Sequence, residues 1–139
     1  MAELNKVKIL FLCVGNSCRS QMAEGWAKHL RGDTIDAYSA GVMPFGVSGR
    51  AIKVMAEAGV DITSHYSKHV DDFAGIDFDY VITLCDSAKQ QCPVFGKSAK
   101  IIHKSFDDPS FNTASNEEVK AEFRRVRDEI KAFVETLPL

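Results

Sequence analysis

The sequence predicts a single α/β domain with a parallel sheet covered by helices on both faces. Three observations predict it. Short apolar runs rich in branched and aromatic residues alternate with segments of helical periodicity. The first apolar run ends in a small polar turn that opens directly into a helix. No repeat, linker or shift in composition divides the 139 residues. A chain of that length builds one core and removes roughly 70% of its unfolded surface from water. A formal charge of -2 supplies no basic field for nucleic acid. The longest early apolar run, ILFLCV at 9–14, is too short for a membrane span and no small-residue cleavage site follows it. The expected product starts near Met1 and is cytoplasmic. Four cysteines in such a reducing compartment point to catalysis, metal or redox cycling rather than a disulfide framework.

The elements follow in order. Residues 7–13, VKILFLC, are almost continuously apolar, as a strand buried on both faces must be. The turn GNSCRS comes next, and over 20–30 the positions Met22, Ala23, Trp26, Ala27 and Leu30 recur at helical spacing until Arg31 and Gly32 stop the run. A short extended piece at 34–39 leads into the glycine-rich loop SAGVMPFGVSG. Ala51, Ile52, Met55 and Ala58 then mark a second helix that Gly59 closes. DYVITLC (79–85) has the β-branched content of another buried strand, and KIIHKSF (100–106) that of a weaker one. Between them SAKQQCPVFG predicts a short helix broken near Pro93. The last helix is the clearest: Val119, Phe123, Val126, Ile130, Phe133, Val134 and Leu137 step by three or four, and Ser115 with Glu118 has the spacing of a capping box.

The short first unit suggests a strand order with its switch point beside strand one, and ligands in such sheets bind outside the carboxyl ends of the strands. Cys13, Cys85 and the pair Asp107 and Asp108 all follow strand ends, so a single crevice collects them. Within CVGNSCRS, Gly15 and Asn16 tolerate backbone angles that turn amide hydrogens inward, and the helix behind presents its positive end. The loop of Val14, Gly15, Asn16, Ser17, Cys18, Arg19 and Ser20 is therefore a socket for phosphate or arsenate. Arg19 adds a planar fork that donates two parallel hydrogen bonds, which lysine cannot copy. A nucleotide loop would end in Gly-Lys-Ser/Thr; this one carries a thiol, Cys13, at its base. The thiolate is the nucleophilic form of cysteine, and helix ends and nearby cations favour it. The plainer account, a buried strand-end cysteine and a surface arginine, leaves the coincidence of strand, small polar turn and helix start unexplained.

Cys-x5-Arg-Ser, here CVGNSCRS, resembles the signature of the low-molecular-weight tyrosine phosphatase fold. Within that fold, GNSCRSQMAEGW, VITLC, the Cys-Pro that follows, and FDDP are most similar to the thioredoxin-coupled arsenate reductases, over residues 7–137. The resemblance implies a four-stranded parallel sheet of order 2-1-3-4, Cys13 as nucleophile, and Asp108 as the acid that protonates the departing oxygen. It also implies that Asn16 and Ser20 hold the loop and the thiolate. Arsenate is the implied substrate, with phosphate or sulfate as competing anions, and Cys18 has no obligatory role.

Two activities share that first step and part at the second. A phosphatase sends water to a Cys13 phosphoenzyme; this low-molecular-weight protein tyrosine phosphatase activity is the alternative. Arsenate reduction needs two electrons, which Cys85 delivers by attacking Cys13 and leaving a disulfide. Cys92 then takes the disulfide from Cys13, and thioredoxin reduces the Cys85–Cys92 bond. A continuous helix over 85–92 would hold those two residues about 10 Å apart, beyond the roughly 7 Å a disulfide spans, so the segment is expected to rearrange on oxidation. Phosphatases of this fold carry two aromatic residues after Asp-Pro; here Ser110 follows Pro109 and only one aromatic is near. A sensor without turnover would need Cys13 and Arg19 but neither Asp108 nor the later thiols.

Some relatives bind potassium through residues matching Asn16, Glu24 and Ser39 with an aspartate. Lys68 stands at the aspartate's place, so its ammonium is expected to fill the vacancy beside Glu24. His65 and His69 have the spacing of helical metal ligands but no acidic or thiol ligand in register. The expectation is an enzyme with no cofactor, no resident metal, no membrane or nucleic-acid partner, and a monomeric state.

Overall fold

Strand β1 (Val7–Cys13) is the centre of the sheet, and from Ile9 onward each of its side chains is buried, which is why its sequence does not alternate. It pairs in parallel with β2 (Ile35–Gly41) on one side and β3 (Tyr80–Thr83) on the other, and β3 pairs with β4 (Lys100–His103). The order is β2-β1-β3-β4, as the resemblance implies. The computed structural model describes residues 6–86, 99–109 and 115–137. The expected helix at 87–96, with Cys92 and Pro93, lies outside them, as do Ser110 and the residues just after it.

Helix α1 (Arg19–Arg31) turns Met22, Ala23, Trp26 and Ala27 into the core, and α3 (Asn116–Glu135) turns in Val119, Phe123, Val126, Ile130 and Val134. Each large apolar side chain buried this way contributes about 1.5–3 kcal/mol. The Trp26 indole N–H donates to the Arg127 carbonyl at 3.1 Å, which fixes the approach of the two helices. Helix α2 (Gly49–Glu57) starts at Ser48, whose hydroxyl accepts from the Ala51 amide, and ends before Gly59, whose φ of 86° only glycine adopts readily. At Ser115 the hydroxyl accepts from the Glu118 amide, but the Glu118 carboxylate returns to that hydroxyl instead of closing the expected box on the backbone.

Three strand ends differ from the sequence expectation. β2 runs two residues past 39, because Cys13 and Gly41 are in register across the sheet. β3 and β4 stop at Thr83 and His103 instead of 85 and 106, although Leu84 still donates to Leu12 O at 2.9 Å and accepts from Phe106 N at 3.0 Å. Apolar character continues past the ladder there because the core does: Leu84 and Cys85 remain buried.

Candidate active site

The loop after β1 is held from outside. The carbonyls of Cys13, Val14, Gly15 and Ser17 accept from the amides of Val42, Met43, Phe45 and Ser48, at 3.3, 2.8, 3.2 and 2.9 Å. The carbonyls of the turn are thus committed to the neighbouring loop, which leaves an anion to be met by amide hydrogens rather than by carbonyl oxygens. Gly41 makes the approach possible, since a Cβ there would fall 2.5 Å from Val14 O and 2.8 Å from Asn16 N. The left-handed residue of the turn is Asn16, with φ of 48°, and not Gly15. Gly15 lies under the Phe45 ring, where a Cβ would fall 2.1 Å from a ring carbon and the exposed ring would have to move.

Asn16 organises the turn from beneath and is fully buried. Its Nδ2 donates to Ser20 Oγ at 2.8 Å and Ser39 Oγ at 3.0 Å, while its Oδ1 accepts from the Lys68 amide at 2.8 Å. Because the Asn16 amide already occupies a lone pair of the Ser20 hydroxyl, that hydroxyl is placed to give its proton to Cys13 Sγ, 2.8 Å away. Asn16 and Ser20 therefore bond the loop and the thiol from behind, and neither lines the cavity, although the sequence places both among the anion-binding residues.

Arg19 is 7% exposed. Its Nη1 donates to Phe106 O at 3.1 Å and its Nη2 to Asp108 Oδ2 at 3.2 Å. Its Nε is buried with no hydrogen-bond partner among the described residues. A buried donor without an acceptor is costly, about 1–3 kcal/mol, and an anion in the cavity would satisfy it. On the other oxygen of Asp108, Cys18 Sγ donates at 3.7 Å. Burial first, then the Asp108 and Cys13 charges, push the Cys18 thiol up to about 12, so it stays a neutral donor. Asp107 points elsewhere and pairs with Arg125 at 3.0 Å, which separates the two adjacent aspartates by role.

These groups surround one cavity of about 340 Å³ lined by Cys13, Val14, Gly15, Ser17, Cys18, Arg19, Phe45, Cys85, Asp86 and Asp108. The structure therefore brings Cys13, Arg19, Cys85 and Asp108 together from separate strand ends; Cys92 lies outside the described residues. Phe45 and Asp86 are the two lining residues that sequence reasoning missed. Phe45 had one legible signal, a large apolar residue inside a glycine-rich loop; Asp86 had only its adjacency to Cys85.

Behind the turn, Ser39 Oγ donates to Glu24 Oε1. Around Glu24 stand Lys28, Lys68 Nζ at 3.7 Å and His65 Nε2 at 3.9 Å. Burial pushes the Glu24 carboxyl up, but hydrogen bonds from Lys28 and Ser39 and the Lys68 and His65 charges outweigh it and hold the group below its ordinary range. Burial also lowers Lys68 and His65. A continuous chain Glu24–Ser39–Asn16–Ser20–Cys13 links this charged cluster to the thiol. His65 bonds Gln21 and His69 caps a 3-10 turn (Val70–Phe73), so the two histidines do not converge. Among the described residues no group of three His, Cys, Asp or Glu could hold a metal ion, and no helix is long and apolar enough to cross a membrane.

The model of the family described as low molecular weight phosphotyrosine protein phosphatase matches residues 8–138. An arsenate reductase of Halalkalibacterium halodurans is 47% identical over 137 residues, covering 96% of this chain and 99% of the relative. Among solved structures, an arsenate reductase in the oxidized state superposes with a TM-score of 0.78 at 34% identity, covering 94% of this chain and 95% of that one. The low molecular weight protein tyrosine phosphatase from T. tengcongensis superposes with a TM-score of 0.68 at 28% identity, covering 95% and 100%.

Proposed function

The chain belongs to the low molecular weight phosphotyrosine protein phosphatase family, and from that premise we propose that it reduces arsenate to arsenite, with thioredoxin as the electron donor. One observation carries the reading: beyond the loop's own thiols Cys13 and Cys18, a third buried thiol, Cys85, arrives from another strand end and lines the same cavity as Arg19 and Asp108. Hydrolysis of a phosphoenzyme has no use for that thiol; reduction of an oxyanion does. The similarity to arsenate reductases over nearly the whole chain supports the same choice.

The chemistry follows from the geometry. Arsenate enters the socket of loop amides, and the Arg19 fork turns from Asp108 to the anion, giving its unpartnered Nε an acceptor. The Cys13 thiolate, steadied by the Ser20 hydroxyl, attacks arsenic. Asp108 protonates the departing oxygen, which leaves as water. Cys85 then attacks the Cys13 sulfur; the S–S bond forms, the S–As bond breaks with its electron pair on arsenic, and arsenite departs. Two sulfurs are oxidised and arsenic gains two electrons. Cys92 takes over the bond to Cys85 and returns Cys13 to the thiol, and the dithiol of thioredoxin reduces the Cys85–Cys92 disulfide.

Slow hydrolysis of aryl phosphates is expected alongside, because loop, Arg19 and Asp108 serve that first step without Cys85. The test measures both activities in one preparation. Arsenate-dependent oxidation of thioredoxin is expected to exceed hydrolysis of an aryl phosphate. In Cys85→Ser arsenite release should fall to background while hydrolysis stays within about twofold, the split expected when only the second step is removed. Rapid hydrolysis without thioredoxin turnover rejects the reductase in favour of the phosphatase.

A further inference from the structure

A hydrogen-bonded chain crosses the carboxyl ends of β3 and β4 beside the cavity, and the mechanism so far makes no use of it. Thr83 and His103 are register partners and the last residues of their strands. His103 Nδ1 lies 2.9 Å from the buried Thr83 Oγ1, and its Nε2 lies 2.9 Å from Asp86 Oδ1. An ionised carboxylate only accepts, so Nε2 carries a proton. The Thr83 hydroxyl has a second acceptor in Ile102 O at 3.4 Å. It can therefore turn toward Nδ1 or away from it, and both ring contacts persist whether the imidazole is neutral or charged.

The Asp86 side chain is 80% exposed, so its pairing with His103 contributes little to holding the fold. Its place in the chain gives it another use, since it directly follows Cys85. On the other side of that thiol, Leu84 is fixed by its amide to Leu12 O and by its carbonyl to Phe106 N. Cys85 sits between two tethers, one built from sheet backbone and one from the His103 ring, and it lines the cavity with Cys13 at its base.

We propose that His103 is a positioning residue for the second step, acting through Asp86 to keep the Cys85 thiol aimed into the anion cavity. The inference rests on the arsenate reductase reading and deepens it. In that step the Cys85 sulfur attacks the Cys13 sulfur while the Cys13–As bond gives its electron pair to arsenic. The rate depends on how often one sulfur points at the other. His103 touches no reacting atom and moves no proton.

The experiment compares the intact protein with His103→Asn and His103→Gln. Asparagine keeps a polar atom near the Nδ1 position but is too short to reach Asp86; glutamine extends its amide to the Nε2 position. Three rates are read: hydrolysis of p-nitrophenyl phosphate, which does not use Cys85; arsenite release in a single turnover; and formation of the Cys13–Cys85 disulfide with diamide in the absence of arsenate, identified by peptide mapping. His103→Asn is expected to slow arsenite release and disulfide formation by about three- to fivefold, the scale of one exposed ion pair. Hydrolysis should stay within about twofold, and His103→Gln should restore both thiol rates. The proposal is overturned if His103→Asn leaves the thiol rates unchanged or raises them, if glutamine is as impaired as asparagine, or if hydrolysis falls in step. Should the intact protein release no arsenite, the reductase reading fails, and the diamide rates alone decide the role of His103.

Discussion

The anion loop and the strand end bearing Cys85 face each other across one cavity, but they are held in different ways. The loop carries four carbonyl bonds to its neighbour, a fully buried asparagine bonded on both ends, and a serine hydroxyl on the sulfur. Among the described residues the strand end has regular ladder to Thr83, one further backbone step at Leu84, and a side-chain tether through an exposed aspartate. The first step of the reaction explains the first arrangement: donors must already point where negative charge develops, because reorganising them would raise the barrier. The second step of the proposed reaction would need the other, since Cys85 would have to come within bonding distance of Cys13, which a segment locked on every side could not do.

That contrast can be broken most severely at Arg19. Arg19→Lys keeps the charge but loses the fork and the Nε donor, and should lower both aryl phosphate hydrolysis and arsenite release by about 10²- to 10³-fold, as removal of an oxyanion donor does. Equal losses in the two assays would place Arg19 in the shared step; a loss confined to arsenite release would contradict the division of labour drawn here.

A smaller effect is expected at Gly41. An added methyl there meets the Val14 carbonyl at 2.5 Å, which is itself held by the Met43 amide, so Gly41→Ala should destabilise by about 1–3 kcal/mol and slow both steps. Gly15→Ala meets the Phe45 ring instead, and that side chain is 70% exposed and can swing aside. Denaturant midpoints for the two variants measure the difference; equal losses would mean that the loop is not held by its neighbour as described.

The mildest perturbation is at Glu24 and Lys68. With the Lys68 ammonium 3.7 Å from Glu24, activity should be insensitive to potassium, and marked activation by potassium in the intact protein would remove that reading. The Glu24 carboxyl is held below its ordinary value of 4.5, so the stability it contributes is present above pH 4.5 and is lost as pH falls through its lowered value in the folded state. Glu24→Gln should therefore flatten the acid limb of the stability profile while weakening the protein at neutral pH, where Lys28 and Lys68 lose their counter-charge.

Much of this was legible before any coordinates. The central strand, the turn, α1 and α3 announce themselves through continuous apolar character, small polar residues and a step of three or four, all short-range patterns. The weaker strands were misjudged at their ends because burial outlasts pairing: Leu84 and Cys85 are core residues beyond the last regular ladder partner. Of the two residues expected to supply the unusual backbone angle of the turn, Asn16 adopts it, and Gly15 serves to admit a ring from a loop thirty residues on.

By itself the sequence determined that a thiol and an arginine close a turn between the central strand and a helix, because those residues lie within one local unit whose form depends on near neighbours. The resemblance in the sequence already names Asp108, and the tertiary structure supplies the reason the two aspartates part: Arg125 pairs with Asp107, while Arg19 and Cys18 bond Asp108. Only the tertiary structure set Phe45 over the loop and joined His103 to Asp86, next to Cys85. Those are contacts between residues far apart along the chain, and which partners meet is settled by how the sheet and its loops pack together.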